Sequence, residues 1–332
     1  MDPISGSTWL WVGFSLFILT MLSLDLGLFN RKAHTITYRE ASIWSAVWVT
    51  LAMVFCGLVF YYQGSTRGKE FLTGYLIELS LSVDNLFVFL LIFSYFKVPA
   101  RFQHRVLFWG VMGALIMRLT MIFVGAALIN RFHWIIYIFG AFLVYTGIKM
   151  FKQEEVDIQP EHNPLVRLVT RFFPIVKTYE EDKFFTTING KRTGTLLLLV
   201  LVVVEVTDLV FAVDSIPAIF AITRDTFIVY TSNVFAILGL RSLYFLLAGV
   251  VEKFRFLRLG LAIILTFIGI KMLLTAVGVH IKIEFSLIFV ALVLAGSVVA
   301  SLLFPSHEEP KIHVDLPPGF DAQHPDTQTP GD

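Results

Sequence analysis

The chain has 332 residues, of which 56% are hydrophobic and only 15% charged, with a formal net charge of +1 and a mean hydropathy of +0.76. Soluble domains are about 45–50% apolar and about 25% charged, so this balance excludes an ordinary soluble protein and marks an integral membrane protein. No basic cluster suggests nucleic acid, and the single cysteine, Cys56, excludes an intramolecular disulfide or a thiolate metal cluster and reads as a small core residue.

A helix needs roughly 20 mainly apolar residues to span a bilayer. Nine such segments are predicted, at about residues 7–29, 40–62, 71–96, 104–129, 131–151, 194–222, 227–250, 254–275 and 283–304. The run from 193 to 213, TGTLLLLVLVVVEVTDLVFAV, lacks the polar face of a surface helix. No Lys or Arg precedes the first segment and its apolar run is too long for a signal peptide core, so it reads as a retained anchor. Arg31 and Lys32 follow it directly, and the positive-inside rule then sets the N-terminus outside. Carried along nine spans, this alternation gives 17 of the 26 Lys and Arg to cytoplasmic segments and 5 to external ones. The other four, Arg118, Lys149, Arg241 and Lys271, fall within spans. The expected fold is an all-α, multi-pass protein of nine transmembrane helices, N-out and C-in, embedded in lipid from residue 1 to 304.

Two segments stand outside the membrane in this reading. The cytoplasmic loop at 152–193 starts acidic, then reads NPLVRLVTRFFPIV, with Arg167 and Arg171 on one face as in a short interfacial helix. It goes on as FFTTINGKRT, where Asn189-Gly190 signals a hairpin turn. The cytoplasmic tail, 305–332, is Pro-rich, acidic and non-periodic, as disordered segments are.

Two apolar spans carry acids at the same spacing. In IELSLSVDNLFVF (77–89) and TDLVFAVDSIPAI (207–219), Glu78 falls on Asp208, Asp84 on Asp214 and Asn85 on Ser215. The match extends: Arg118 corresponds to Arg241, and YTGIKMF (145–151) to FIGIKML (267–273), aligning Lys149 with Lys271. Spans 3–5 and 6–8 therefore read as a three-helix repeat. Three is odd, so the second copy is inserted upside down, the inverted arrangement of secondary transporters, whose sites lie where repeats meet. Spans 1, 2 and 9 are left as supports, with Asp25 as an additional acid near the inner end of span 1.

A mid-span carboxylate costs about 2.5–3.5 kcal/mol on insertion scales and is by default functional. Glu78, Asp84, Glu205, Asp208 and Asp214 are five such groups. Arg118 and Arg241 lie too deep to reach the interface and are expected to pair with carboxylates; Lys149 and Lys271, nearer span ends, are expected to snorkel. Five acids against two arginines leave three negative charges, which one divalent cation and one proton would balance. The donors nearby are carboxylate, amide, hydroxyl and carbonyl oxygens, with no His or Cys, a set suited to Mg2+, Ca2+ or Mn2+ rather than zinc or copper. Six residues turn a helix by about 600°, so Glu78 and Asp84 point about 120° apart. Glu78, Ser82 and Asn85 share a face. Pro217 removes a backbone N–H and is expected to kink or unwind its helix at Val213-Asp214, freeing carbonyls.

These residues carry a resemblance. VEVTDLVFAVDSIPAIFAIT (204–223), FFTTINGK upstream and ELSLSVDNLFVF in the first copy resemble the TerC family, closely its Alx-type members, over nearly the whole chain to residue 304. Where relatives carry a proline soon after the Gly-Lys turn, Thr195 stands here. The resemblance implies a manganese exporter of the LysE-like transporter group, in the inner membrane, historically named for tellurium resistance; nothing in these residues gives that resistance a physical basis. It puts the family's acidic positions on Glu78 and Asp84 and on Glu205, Asp208 and Asp214. The expected function is Mn2+ export by alternating access between spans 3 and 6, coupled to H+, with no enzymatic activity and no tightly bound cofactor. Two other classes stand beside it: a membrane assembly or metalation partner for exported proteins, docking through the inner loop, and an intramembrane aspartyl protease using Asp84 and Asp214. The latter lacks a GxGD-like segment and has too many acids.

Overall fold

The structure, a computed structural model, describes residues 8–27, 37–132, 134–152, 175–176, 179, 183–188, 191–247 and 255–304. The expected interfacial helix around Arg167 and Arg171, the Asn189-Gly190 turn and the tail lie outside the described residues. Nine α-helices occur among them: α1 Thr8–Gly27, α2 Tyr38–Gln63, α3 Ser65–Tyr95, α4 Ala100–Arg131, α5 Ile135–Lys152, α6 Leu196–Phe220, α7 Thr226–Leu247, α8 Arg255–Ala276 and α9 Ile283–Leu303. By length and composition six of the described helices can cross a membrane, lying in α2, α3, α4, α6, α8 and α9; the apolar stretches of α1, α5 and α7 are shorter.

One addition to an all-helical fold is a small antiparallel hairpin. Strands β1 (Phe185–Ile188) and β2 (Lys191–Gly194) pair with Ile188 opposite Lys191.

Local chemistry sets the helix starts. Thr37 and Glu40 form a reciprocal capping box at α2. Gly64 alone separates α2 from α3, at φ 89°, where a side chain would be strained. Asp225 Oδ1 accepts from the backbone N–H of Phe227 and Ile228 at 2.9 and 3.3 Å, capping α7. The polar turn Ser65–Glu70 is already helical, so α3 begins before its apolar stretch.

Three apolar clusters hold the bundle. Phe14, Trp48, Phe71 and Phe235 seat α1 and α2 on α3 and α7. Leu143, Ile216 and Ile268 join α5, α6 and α8. Phe89, Phe93, Val200 and Tyr244 fill the hairpin end of α3, α6 and α7.

The most extensive helix contact is α5 against α8, and it rests on glycines. A Cβ on Gly147 would sit 2.8 Å from Ala262 O and 2.9 Å from Thr266 N; one on Gly269 would sit 2.8 Å from both Gly140 O and Val144 N. These are one contact made twice, because the alignment of YTGIKMF with FIGIKML also pairs Gly140 with Ala262 and Val144 with Thr266. The helices run antiparallel, and exchanging the copies maps each contact onto the other. Small residues let backbones approach in this way. Gly147→Ala and Gly269→Ala are each expected to destabilise the protein by at least about 1 kcal/mol, equally, in unfolding measured in detergent. A cost confined to one of them would contradict the reciprocity.

Candidate cation site

Glu78 on α3 and Asp208 on α6, matched positions of the two repeated segments, meet on Arg118 of α4. Arg118 Nη1 donates to Glu78 Oε1, while Nε and Nη2 donate to Asp208 Oδ2 and Oδ1 at 3.4 and 3.3 Å. That two-pronged grip is a geometry lysine cannot reproduce. Nη1 also reaches Ser215 Oγ at 3.2 Å and Asn233 Oδ1 of α7 at 3.3 Å. Asn233 Nδ2 in turn donates to Glu78 Oε2 at 2.9 Å. The group is sealed: Glu78 is 0% exposed, Asn233 1%, Arg118 2% and Asp208 3%. Buried charge persists only when paired and hydrogen-bonded in this way.

The remaining expected residues are distributed differently. Asp214 is half-buried and accepts from Thr146 Oγ1 of α5 at 3.2 Å. Glu205 lies against Gly113 of α4, its carboxylate filling the space a Cβ would take. Asp208 and Asp214 thus face different neighbours, as six residues of helix require. The side chains of Asp84, Arg241 and Asp25 lie outside the described residues. Among the described residues no three of His, Cys, Asp and Glu gather as a metal ligand group; Glu78 and Asp208 come together, without Glu205 and Asp214. Ser82 and Asn85 are buried on α3, and Ser82 Oγ, one turn from Glu78, has no hydrogen-bond partner among the described residues.

Two expectations are corrected. α6 does not unwind at Val213-Asp214: it is helical through Pro217 to Phe220. Pro217 removes the N–H that would bond to the Val213 carbonyl, and the helix ends three residues later. Lys271 does not snorkel but is buried, within electrostatic reach of Glu70 of α3. Lys149, by contrast, is exposed.

Asn233 was not anticipated. Its signal was the polar run Thr231-Ser232-Asn233 inside an apolar span, all three buried.

Both ends of the bundle above and below this site are closed by contacts of opposite character. At the Gly64 end, Arg67 pairs with Glu70 at 3.0 Å and with Asp225 at 3.3 Å. Thr223 Oγ1 donates to Glu70 at 2.7 Å, and Lys69 pairs with Glu284 of α9 at 2.7 Å. At the hairpin end the closure is apolar, tied by Tyr244 OH donating to Gln103 Oε1 at 3.0 Å and Tyr179 OH donating to Phe96 O at 2.7 Å. Burial pushes the Tyr179 phenol up, which keeps it a donor.

Residues 63–309 match the model of the integral membrane protein TerC family. The chain belongs to the TerC family. An uncharacterised membrane protein of Myxococcus xanthus is 51% identical over 315 residues, covering 95% of this chain and 98% of that one. A protein of Escherichia coli K12, whose name makes it a candidate membrane-bound redox modulator, Alx, is 52% identical over 278 residues, 81% of this chain and 87% of its own. A membrane protein of Rickettsia bellii is 42% identical over 261 residues, 79% and 86% of the two chains. No solved structure matches.

Proposed function

We propose that this TerC protein exports Mn2+ by alternating access, with the ion handled by intramembrane carboxylates between α3 and α6. The observation that carries the reading is the meeting of Glu78 and Asp208, equivalent acids of the two copies, in the sealed interior. Oxygen donors surround that point: two carboxylates, the Ser215 hydroxyl and the Asn233 amide, with the Ser82 hydroxyl, which has no partner among the described residues, one turn away. Such a set suits hard divalent cations, Mn2+, Ca2+ or Mg2+. Asp84 and Asp214 belong to the proposed route as a second matched pair.

The proposed topology is nine spans, N-out and C-in, in the inner membrane, with spans 3–5 and 6–8 as inverted copies; the reciprocal glycine contacts of α5 and α8 support the inversion. In it the hairpin end is cytoplasmic. Moving a dication out against an inside-negative potential of 100 mV costs about 4.6 kcal/mol. H+ is the proposed counter-ion, because a carboxylate exchanges a metal for a proton. A redox role, the description carried by the Alx-named relatives, finds no thiol pair here: Cys56 is the single cysteine and is buried.

Expression in a host without its own Mn exporters tests the reading. Wild type is expected to lower cell Mn, and Glu78→Gln, Asp208→Asn, Asp84→Asn and Asp214→Asn to lose most of that effect. Unchanged Mn with wild type removes the export reading; full activity in all four variants removes the site.

A further inference from the structure

We propose that Arg118 is a tethered stand-in for the transported cation: it fills the oxygen cage of Glu78, Asp208, Ser215 and Asn233 when the carrier is empty, and an incoming dication must displace it. The inference rests on the export reading and gives that site a specific competitor.

The geometry is that of a coordinated cation. One guanidinium is held by oxygens of four side chains from three helices, α3, α6 and α7, while the arginine itself comes from a fourth, α4. Both carboxylates, the hydroxyl and the amide oxygen point at Arg118, and each is also a donor of the kind Mn2+ takes. A dication bound beside an undisplaced Arg118 would put three positive charges against two carboxylates in a site excluded from water. The dication alone, with the arginine withdrawn, balances the two carboxylates. Going from the empty to the loaded cage thus binds one M2+ and moves one guanidinium out.

The arrangement has a consequence for transport cycles. An empty carrier that must cross the membrane with its acids bare would carry two uncompensated charges through a low-dielectric interior, which is costly. With Arg118 in the cage the return step is compensated. Arg118 therefore weakens apparent metal affinity and permits net transport, two effects that a purely structural ion pair would not separate.

The experiment uses purified full-length wild type, Arg118→Gln and Arg118→Lys. Mn2+ binding is followed by loss of the free Mn2+ electron paramagnetic resonance signal. Transport is followed in proteoliposomes, as net uptake into empty vesicles and as exchange in Mn2+-loaded ones. Since a binding-competent state that is seldom populated weakens apparent affinity in proportion, Arg118→Gln is expected to bind Mn2+ roughly tenfold tighter. It is expected to keep exchange and to lose net uptake, which Arg118→Lys, a charge without the fork, partly restores. Unchanged Mn2+ affinity, or net uptake at the wild-type rate, in Arg118→Gln overturns the proposal. If Arg118→Gln does not fold, Arg118→Lys decides: tighter binding with net uptake supports displacement, and wild-type affinity overturns it. Wild type that neither binds nor moves Mn2+, Ca2+ or Mg2+ overturns the export reading itself, and the arginine's role with it.

Discussion

Glu78→Leu is expected to lower the stability of the protein by about 3–5 kcal/mol, the cost of leaving one partner of a buried pair behind. Arg118, 2% exposed, would keep Asp208 but lose its strongest second anchor. Asn233 Nδ2 would lose its acceptor as well, and a buried unsatisfied donor costs about 1–3 kcal/mol by itself. The triple replacement Glu78→Leu, Asp208→Leu, Arg118→Met removes the charges together and is expected to recover part of the loss, since apolar groups often replace buried ion networks at no net cost, while the unpaired Asn233 amide keeps its own cost. The same triple variant should export no Mn2+. Unfolding in detergent, followed by tryptophan fluorescence, measures the first pair of results and proteoliposome uptake the last. A triple variant as unstable as Glu78→Leu would mean that the network is needed to hold the helices, and stability and transport could not be separated this way.

The sequence made much of this arrangement legible, for identifiable reasons. A bilayer demands about 20 apolar residues per crossing, so the six helices long and apolar enough to span one were visible as hydropathy. Their ends were less so: α3 starts at Ser65 rather than near 71 because Ser65–Glu70 is polar but still helical. Glu78 and Asp208 stood out because acids in an apolar span are expensive, and the same cost called for a carboxylate beside Arg118, without saying that both would meet on it. A continuous helix keeps Asp208 and Asp214 on different faces, whereas the break expected at Pro217 would have let them converge. Asn233 did not stand out, because one amide in a helix acquires meaning only from which helix crosses it. Pro217 misled because the residue type signals a break while its position, in the last turn of α6, does not. Lys271 misled because proximity to a helix end suggests an exposed side chain, whereas it is buried within reach of Glu70 of α3.

The acids that seal the interior differ from those that close the Gly64 end, and the second set is expected to act on the first through helix placement. Asp225→Ala is expected to cost up to about 3 kcal/mol, up to about 2 from the lost N-cap of α7 and up to about 1 from the partly exposed pair with Arg67. Asp225 Oδ1 holds the backbone N–H groups of Phe227 and Ile228, while Oδ2 lies 3.3 Å from Arg67 Nη1. Asparagine caps helices about as well as aspartate, so Asp225→Asn keeps the first term and loses the second. Its expected cost is below about 1 kcal/mol and should shrink as salt rises, because screening acts on the pair and not on the cap. Equal losses for the two variants would assign the whole effect to the ion pair. The consequence reaches the cation site because α7 delivers Asn233 to Glu78, about 12 Å along the helix from Asp225 at about 1.5 Å per residue. A frayed first turn therefore loosens the helix that supplies the amide. Asp225→Ala, and not Asp225→Asn, should weaken Mn2+ binding at a site whose own residues it leaves unchanged.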